Sequence, residues 1–216
     1  MGISTRDPKR IIVVTGTPGV GKTSLARALA GRLGWVALDL NELSLSKGLL
    51  RGYDRARRTW VIDEVRLKRA VMGLLETSGS KILIEGHYAQ AAVPPDEVEL
   101  ALVLRCDPRV LEERLRGRGY GEEKVLENVE AEILDSCLLE ALGAFGESRV
   151  HEIETTRLSL EEAVGEALEV IGKRKKPSLL GIDWIRALEG EGCLERYLMG
   201  KGIAEKAEKV SDNLLR

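Results

Sequence analysis

The chain has 216 residues, 44% hydrophobic and 31% charged, with a formal net charge of −2. That suffices for one α/β domain with an appendage, and the charge balance argues against a dominant nucleic-acid-binding surface. Cys106, Cys137 and Cys193 are too far apart for a zinc knuckle or a disulfide frame, which suits a reducing cytoplasm, and no signal sequence or long apolar span suggests a membrane.

Residues 11–14, Ile-Ile-Val-Val, form a β-branched run suited to a strand buried on both faces of a parallel sheet. Residues 16–23, Gly-Thr-Pro-Gly-Val-Gly-Lys-Thr, fit G-x-x-x-x-G-K-[ST] at every fixed position. Leu25, Ala26, Leu29, Ala30 and Leu33 then recur at helical spacing, and Gly34 is a stop signal. Strand, glycine loop and helix together predict a phosphate site. Gly19 and Gly21 let the backbone approach an anion without a Cβ in the way. The loop N–H groups and the helix N-terminus supply positive potential. Lys22 would meet the β- and γ-phosphates, and the Thr23 hydroxyl is the expected Mg²⁺ ligand.

Residues 35–38 read as a second strand. The stretch 39–62 is less regular and rich in Arg51, Arg55, Arg57 and Arg58, with Asp39, Asn41, Glu42, Tyr53 and Asp54 among them. Arginines grip phosphate in bidentate fashion, so this segment could hold a phosphoryl acceptor; a solvated surface is the other reading. Asp63 caps a helix expected to run to Ser78, with Gly79 past its end. Residues 81–85 are a third strand, ending in Glu85-Gly86-His87. An acidic residue at the carboxyl end of an apolar strand is where a Mg²⁺-side carboxylate sits, and His87 would lie beside the phosphates.

Residues 100–104 give a fourth strand. Asp107-Pro108 opens a helix that runs into Arg114, Arg116 and Arg118 between glycines, a pattern suited to a cationic cover. Residues 122–142 are expected as one long amphipathic helix, and 149–153 as a fifth strand. Ser159 and Glu162 form a capping box before a last helix. Strands alternating with helices predict a doubly wound, five-stranded parallel sheet, with ligands at the strands' carboxyl edge. Gly16 to Ser24, Glu85 to His87 and Arg157 all fall at that edge. Residues 173–177, Lys-Arg-Lys-Lys-Pro, read as a basic linker that could touch RNA transiently. Residues 178–216 form a helical C-terminal tail, with helices expected over 180–188, 194–199 and 203–215, too poor in apolar residues to fold alone.

These motifs resemble the adenylate kinase isoenzyme 6 (CINAP-like) family over about residues 10–172, and an archaeal member is expected. The likeness rests on GTPGVGKTSL, Gly52-Tyr53-Asp54, Ile62-Asp63-Glu64, Glu85-x-His87, VLRCDPRVLEERLRGRGY, the run from Glu127 to Ile133, and Val150-His151-Glu152. The resemblance implies a P-loop NTPase fold of nucleotide-kinase type, spanning residues 1–172. It implies ATP held by Gly19, Gly21, Lys22, Thr23 and Ser24, with Arg157 near the adenine. AMP would be the favoured acceptor in the 39–62 segment, with Asp39, Glu42, Tyr53 and Asp54 as its contacts. A short lid over residues 117–127 would bring Arg118 to the ATP phosphates. Lys22, Glu85, His87 and Arg118 would be catalytic, with Mg²⁺ on Thr23 and Glu85. The family usually has Asp-x-His where this chain has Glu85-Gly86-His87, a pair tied to ATPase activity; Glu keeps the charge but adds a methylene. A ribosomal protein of the small-subunit platform is the implied partner, and small-subunit maturation the implied role. Two functions follow: reversible phosphoryl transfer from ATP to AMP, giving two ADP, or an assembly factor switched by ATP hydrolysis. A different small-molecule acceptor, such as CMP or a nucleoside, is a third.

Overall fold

The computed structural model describes residues 10–55, 59–77 and 81–198. In chain order the first half runs β1 (Arg10–Gly16), α1 (Lys22–Leu33), β2 (Val36–Asp39), α2 (Leu40–Ser46), β3 (Leu50–Asp54), β4 (Thr59–Ile62), α3 (Glu64–Thr77), β5 (Lys81–Glu85) and α4 (Ala89–Ala92). The second half runs β6 (Val98–Arg105), α5 (Pro108–Gly117), α6 (Glu122–Ile133), α7 (Ser136–Phe145), β7 (Val150–Glu154), α8 (Leu160–Ile171), α9 (Trp184–Gly190) and α10 (Leu194–Tyr197).

The apolar run of β1 puts it at the centre of a parallel five-stranded sheet ordered β2-β5-β1-β6-β7. Its side chains alternate between two cores. Ile12 and Val14 pack with α1, α5, α6 and α8, while Ile11 and Val13 pack with α2, α3, α4 and α7. All four are fully buried, as a strand covered on both faces requires. The helix ends follow local chemistry. Gly34 closes α1 in the left-handed conformation. Asp107 Oδ1 accepts the Arg109 N–H at 2.9 Å with Pro108 in the first turn of α5. Ser159 and Glu162 make the reciprocal capping box of α8.

Two expectations need correction. The stretch 122–142 is not one helix but α6 and α7, broken at Asp135, whose φ is 54°. The two halves serve opposite faces of the sheet: Val125, Val129 and Ile133 enter the first core, Leu138, Ala141 and Phe145 the second. A straight helix cannot reach both, so the chain turns over the sheet's carboxyl edge. Asp is one of the few residues that tolerates such a φ, and an ion pair to Arg105 holds it there. The stretch 39–62 is also more ordered than its composition suggests. It holds α2, capped by Asp39, whose Oδ1 accepts the Asn41 and Glu42 N–H groups at 2.8 and 3.1 Å. An antiparallel β3–β4 hairpin follows. Arg57, Arg58, Ser78, Gly79 and the helix expected over 203–215 lie outside the described residues.

The C-terminal segment docks on the same domain. Leu188, Tyr197 and Leu198 join the first core. Tyr197 Oη donates to Glu112 Oε2 at 2.8 Å, Arg196 donates to Glu112 Oε1 at 2.6 Å, and Leu180 N–H donates to Glu152 Oε2 at 2.7 Å. The basic stretch is tied down by Lys173–Glu99 and Lys175–Glu166 ion pairs of 3.3 and 2.6 Å.

Candidate functional site

The turn between β1 and α1 is a glycine loop in the conformation its sequence demands. Gly19 and Gly21 have φ of 101° and 106°, the region where a side chain is strained. A Cβ on Gly19 would also meet Leu111 Cδ1 at 2.7 Å, so the loop packs closely on α5. Lys22 folds back over the loop, its Nζ donating to Gly16 O at 2.8 Å and Thr17 O at 3.0 Å. Burial pushes the Lys22 pKa below its ordinary value, while Cys137, Glu85 and Glu132 pull it up. Thr155 Oγ1 lies 2.9 Å from the carbonyls of both Val20 and Arg105, joining the loop to the end of β6.

Glu85 closes β5 beside two registered neighbours, Val14 of β1 and Asp39 of β2. Burial raises its pKa, the Thr23 hydroxyl donates to it and lowers it, and the adjacent Asp39 carboxyl raises it again. His87 packs edge-on against Tyr88 with centroids 4.3 Å apart. Burial, with Lys22 and Lys124 adding positive charge nearby, holds its pKa down at about 4, so the ring is neutral at physiological pH. Tyr88 Oη in turn donates to Asn41 Oδ1 at 2.6 Å, which links this loop to α2.

A cleft of about 780 Å³ runs from the glycine loop to the hairpin. Of the residues picked out from sequence, Gly19, Gly21, Lys22, Thr23, Ser24, Glu85, His87 and Arg118 line it together. Arg118 is exposed at the end of α5, with no hydrogen-bond or ion-pair partner for its side chain among the described residues. Asp39, Glu42, Tyr53, Asp54 and Arg157 do not line the cleft. Asp39 stands behind Glu85, Tyr53 sits on the outer hairpin at 48% exposure, and Arg157 is exposed beyond β7. Trp60, Cys137 and Glu140, which the sequence did not single out as site residues, line it too, as do Tyr120, Lys124 and Glu127 of the expected lid and the neighbouring Asn128. The spacing of 124, 127, 128 and 131 on one face of α6 was the available signal for part of that set. Burial raises the Cys137 thiol to about 11, so it stays protonated. A smaller hollow of about 280 Å³ lies at the amino end of the strands around Lys173, Lys175 and Lys176, away from the loop.

Behind the loop sits a buried charge cluster that no sequence pattern announced. Arg105 Nε donates to Glu132 Oε1 at 2.9 Å, Nη1 to Glu152 Oε1 at 2.6 Å, and Nη2 to Asp135. Thr17 Oγ1 donates to the other Glu132 oxygen at 2.6 Å. Burial works against the Arg105 charge, but the three carboxylates outweigh it and its pKa is raised.

The comparisons agree with this architecture. Residues 12–135 match the family described as AAA domain. A protein of Methanocaldococcus jannaschii named "Putative adenylate kinase" is 39% identical over 173 residues, covering 80% of this chain and 92% of its own. One of the same name from Archaeoglobus fulgidus is 42% identical over 186 residues, covering 83% and 94%. Among solved structures, shikimate kinase from Acinetobacter baumannii in complex with shikimate superposes with a TM-score of 0.54 at 19% identity, over 79% of this chain and 96% of that one, a likeness of fold. With a glycine loop in working conformation, a 2-3-1-4-5 order among the parallel strands, and relatives matched over most of both lengths, the chain belongs to the family of archaeal P-loop proteins that carry the name "putative adenylate kinase".

Proposed function

We propose that the protein is a nucleoside monophosphate kinase of broad specificity that moves the γ-phosphoryl of ATP to AMP, giving two ADP. One observation carries the reading: a single cleft joins the glycine loop to the aromatic hairpin, so donor and acceptor can meet inside it. The names of the archaeal relatives support it, as does the resemblance to the isoenzyme 6 family.

In this reading the loop N–H groups, Ser24 at the start of α1 and Lys22 bind the ATP phosphates. Lys22 leaves its two backbone carbonyls for the β- and γ-oxygens. Arg118 comes down with the 117–127 lid and balances charge on the transferring group. The acceptor lies toward β4, with Trp60 as a face for its base and the α2 side, Asp39 and Glu42 included, framing its sugar and phosphate; Tyr53 and Asp54 brace the hairpin behind it. Arg157 borders the donor base once the lid has closed. Closure excludes water, the competing nucleophile.

The donor set fits Mg²⁺. The Thr23 hydroxyl and Glu85 carboxylate already meet, with the Asp39 carboxyl beside them, and oxygen donors suit a hard cation. Among the described residues no group of three or more His, Cys, Asp or Glu could hold a metal, so phosphate oxygens and water would complete the shell. When bound, the ion neutralises phosphate charge. The neutral His87 ring and Glu85 could orient a water instead of an acceptor, which gives the site ATPase activity when no acceptor is present.

ADP formation from Mg-ATP, with and without AMP, CMP, GMP and UMP, tests the proposal. A large AMP-dependent rate is expected. Slow ADP release indifferent to every monophosphate would replace it with the ATP-switched assembly factor. In that case binding to a small-subunit ribosomal protein should differ between ATP and ADP. Among the described residues no helix is long and apolar enough to cross a membrane.

A further inference from the structure

We infer that Glu132 is a positioning residue for the nucleotide site, fastening the glycine loop to the helix that carries the lid-side wall of the cleft. The inference rests on the reading of that loop as the ATP site. α6 lines the cleft with Lys124, Glu127, Asn128 and Ala131, spaced to share one helix face. Glu132 comes next on the same helix, at 2% exposure, and does not line the cleft. Its Oε2 accepts the Thr17 hydroxyl at 2.6 Å; its Oε1 accepts Arg105 Nε at 2.9 Å and the Cys106 N–H at 3.1 Å.

Thr17 is thereby held at both ends. Its hydroxyl donates to Glu132 and also meets the Cys137 thiol, and its carbonyl takes the Lys22 ammonium at 3.0 Å. A continuous line of polar contacts runs from Lys22 through Thr17 and Glu132 to the end of β6. A buried carboxylate is costly to desolvate, and an apolar side chain of similar volume would serve packing better. What the carboxylate adds is geometry: it sets the height of the loop relative to β6 and to α6. Because α6 is one continuous helix, Glu122–Ile133, a tilt of its lid end is transmitted to Thr17. Glu132 is the fixed point about which lid-side residues such as Lys124 are registered to the phosphate site.

Two substitutions separate this role from a purely structural one. Glu132→Met keeps the length of the side chain but removes the acceptor for Thr17 and deprives buried Arg105 of a charge partner, so it can cost stability. Thr17→Val exchanges the hydroxyl for a methyl, which removes the donor to Glu132 and the contact with Cys137 and leaves every Arg105 contact in place. The measurements are equilibrium affinity for Mg-ATP, KM and kcat, and the thermal midpoint of each protein. Losing a hydrogen bond to a charged acceptor predicts an ATP affinity about tenfold weaker in Thr17→Val, with KM for ATP rising in step. Thr17→Ser should recover most of that loss. The Thr17→Val/Glu132→Met double variant should bind no worse than Glu132→Met alone, since both cut the same link. Native-like ATP affinity and KM in Thr17→Val, or a Glu132→Met protein that loses only thermal stability, would overturn the inference while leaving the proposed function intact. A native protein that does not bind Mg-ATP would overturn both.

Discussion

At the glycine loop, Lys22 is buried and held by two carbonyls, Thr17 is fixed through hydroxyl and carbonyl, and Thr155 braces the loop from β7. Across the cleft, Trp60 and Tyr53 stand about half exposed, in edge contact with each other at 5.1 Å. In the proposed reading the loop is the donor side, and its polar groups have partners that a triphosphate would replace. In the proposed reading the hairpin is the acceptor side, where Trp60 offers a half-exposed aromatic surface. Binding energy at such a wall is collected on closure, so the donor site should tolerate change poorly and the acceptor site should tune affinity and choice of base.

The sharpest way to break this comparison is at Lys22. Lys22→Met keeps the aliphatic stem and removes the charge, so phosphoryl transfer should fall by about 10²–10³ with the fold retained. Rates and thermal midpoint measured together check it; near-native turnover would take the loop out of the chemistry. Arg118→Ala comes next. This side chain is exposed and has no hydrogen-bond or ion-pair partner among the described residues, so stability should not change. Removing its charge from the transition state should still cost about 10²-fold in kcat. A loss seen only in KM would place Arg118 in ground-state binding rather than in transfer.

Trp60→Ala sharpens the other half of the comparison. If Trp60 is the face on which the acceptor base stacks, its loss should raise KM for AMP by about tenfold, roughly 1–1.5 kcal/mol, and leave KM for ATP alone. An equal rise in both would show that the hairpin acts on closure as a whole. The two-sided pattern, with Lys22 acting on rate and Trp60 on acceptor KM, is what a divided cleft demands.

The same division explains what could be read from the sequence. The glycine loop was legible because its chemistry is local: each fixed residue answers a need of the backbone or the phosphate within eight positions. Strands β1, β5 and β6 were legible from apolar runs, and α8 from its capping box. The hairpin was not. Gly52 and the charged residues around it dilute the alternation of β3, which has little buried surface to enforce a period. Trp60 looked like one residue in an arginine-rich stretch, and Asp39, Glu42, Tyr53 and Asp54 drew attention instead. The break between α6 and α7 was hidden because no Gly or Pro marks it. Apolar spacing continues through Ile133 to Leu138, and only the destinations of the two halves, on opposite faces of the sheet, require the turn. Thr155 braces the loop, a contact across 135 positions that no local pattern encodes. The Arg105 cluster is of the same kind, assembled from residues 27 to 47 positions apart.

That cluster yields the smallest expected effect and the one most specific to this fold. Three carboxylates, Glu132, Asp135 and Glu152, face a single guanidinium in a largely closed space, so negative charge is in excess. Asp135 takes up the difference: burial raises its pKa to about 6, Arg105 pulls it down only in part, and Glu132 and Glu152 push it up again. An acid whose folded pKa exceeds its unfolded value binds more protons in the folded state. Its contribution to stability is therefore fully present below about pH 3.8 and is lost as pH rises through about 6, a change of at most about 3 kcal/mol. Asp135→Asn removes the titration, keeps a residue that tolerates the left-handed φ of 54°, and leaves Arg105 two carboxylates. Between pH 4 and 7 the variant should lose this component of the pH dependence of unfolding, and above pH 7 it should be as stable as the native chain or slightly more so. A variant that is strongly destabilised at pH 8, where a carboxyl with a pKa of about 6 is ionised, would show that the ion pair with Arg105 outweighs the burial and the repulsion from Glu132 and Glu152, and that losing it loosens the turn that carries the chain from one face of the sheet to the other.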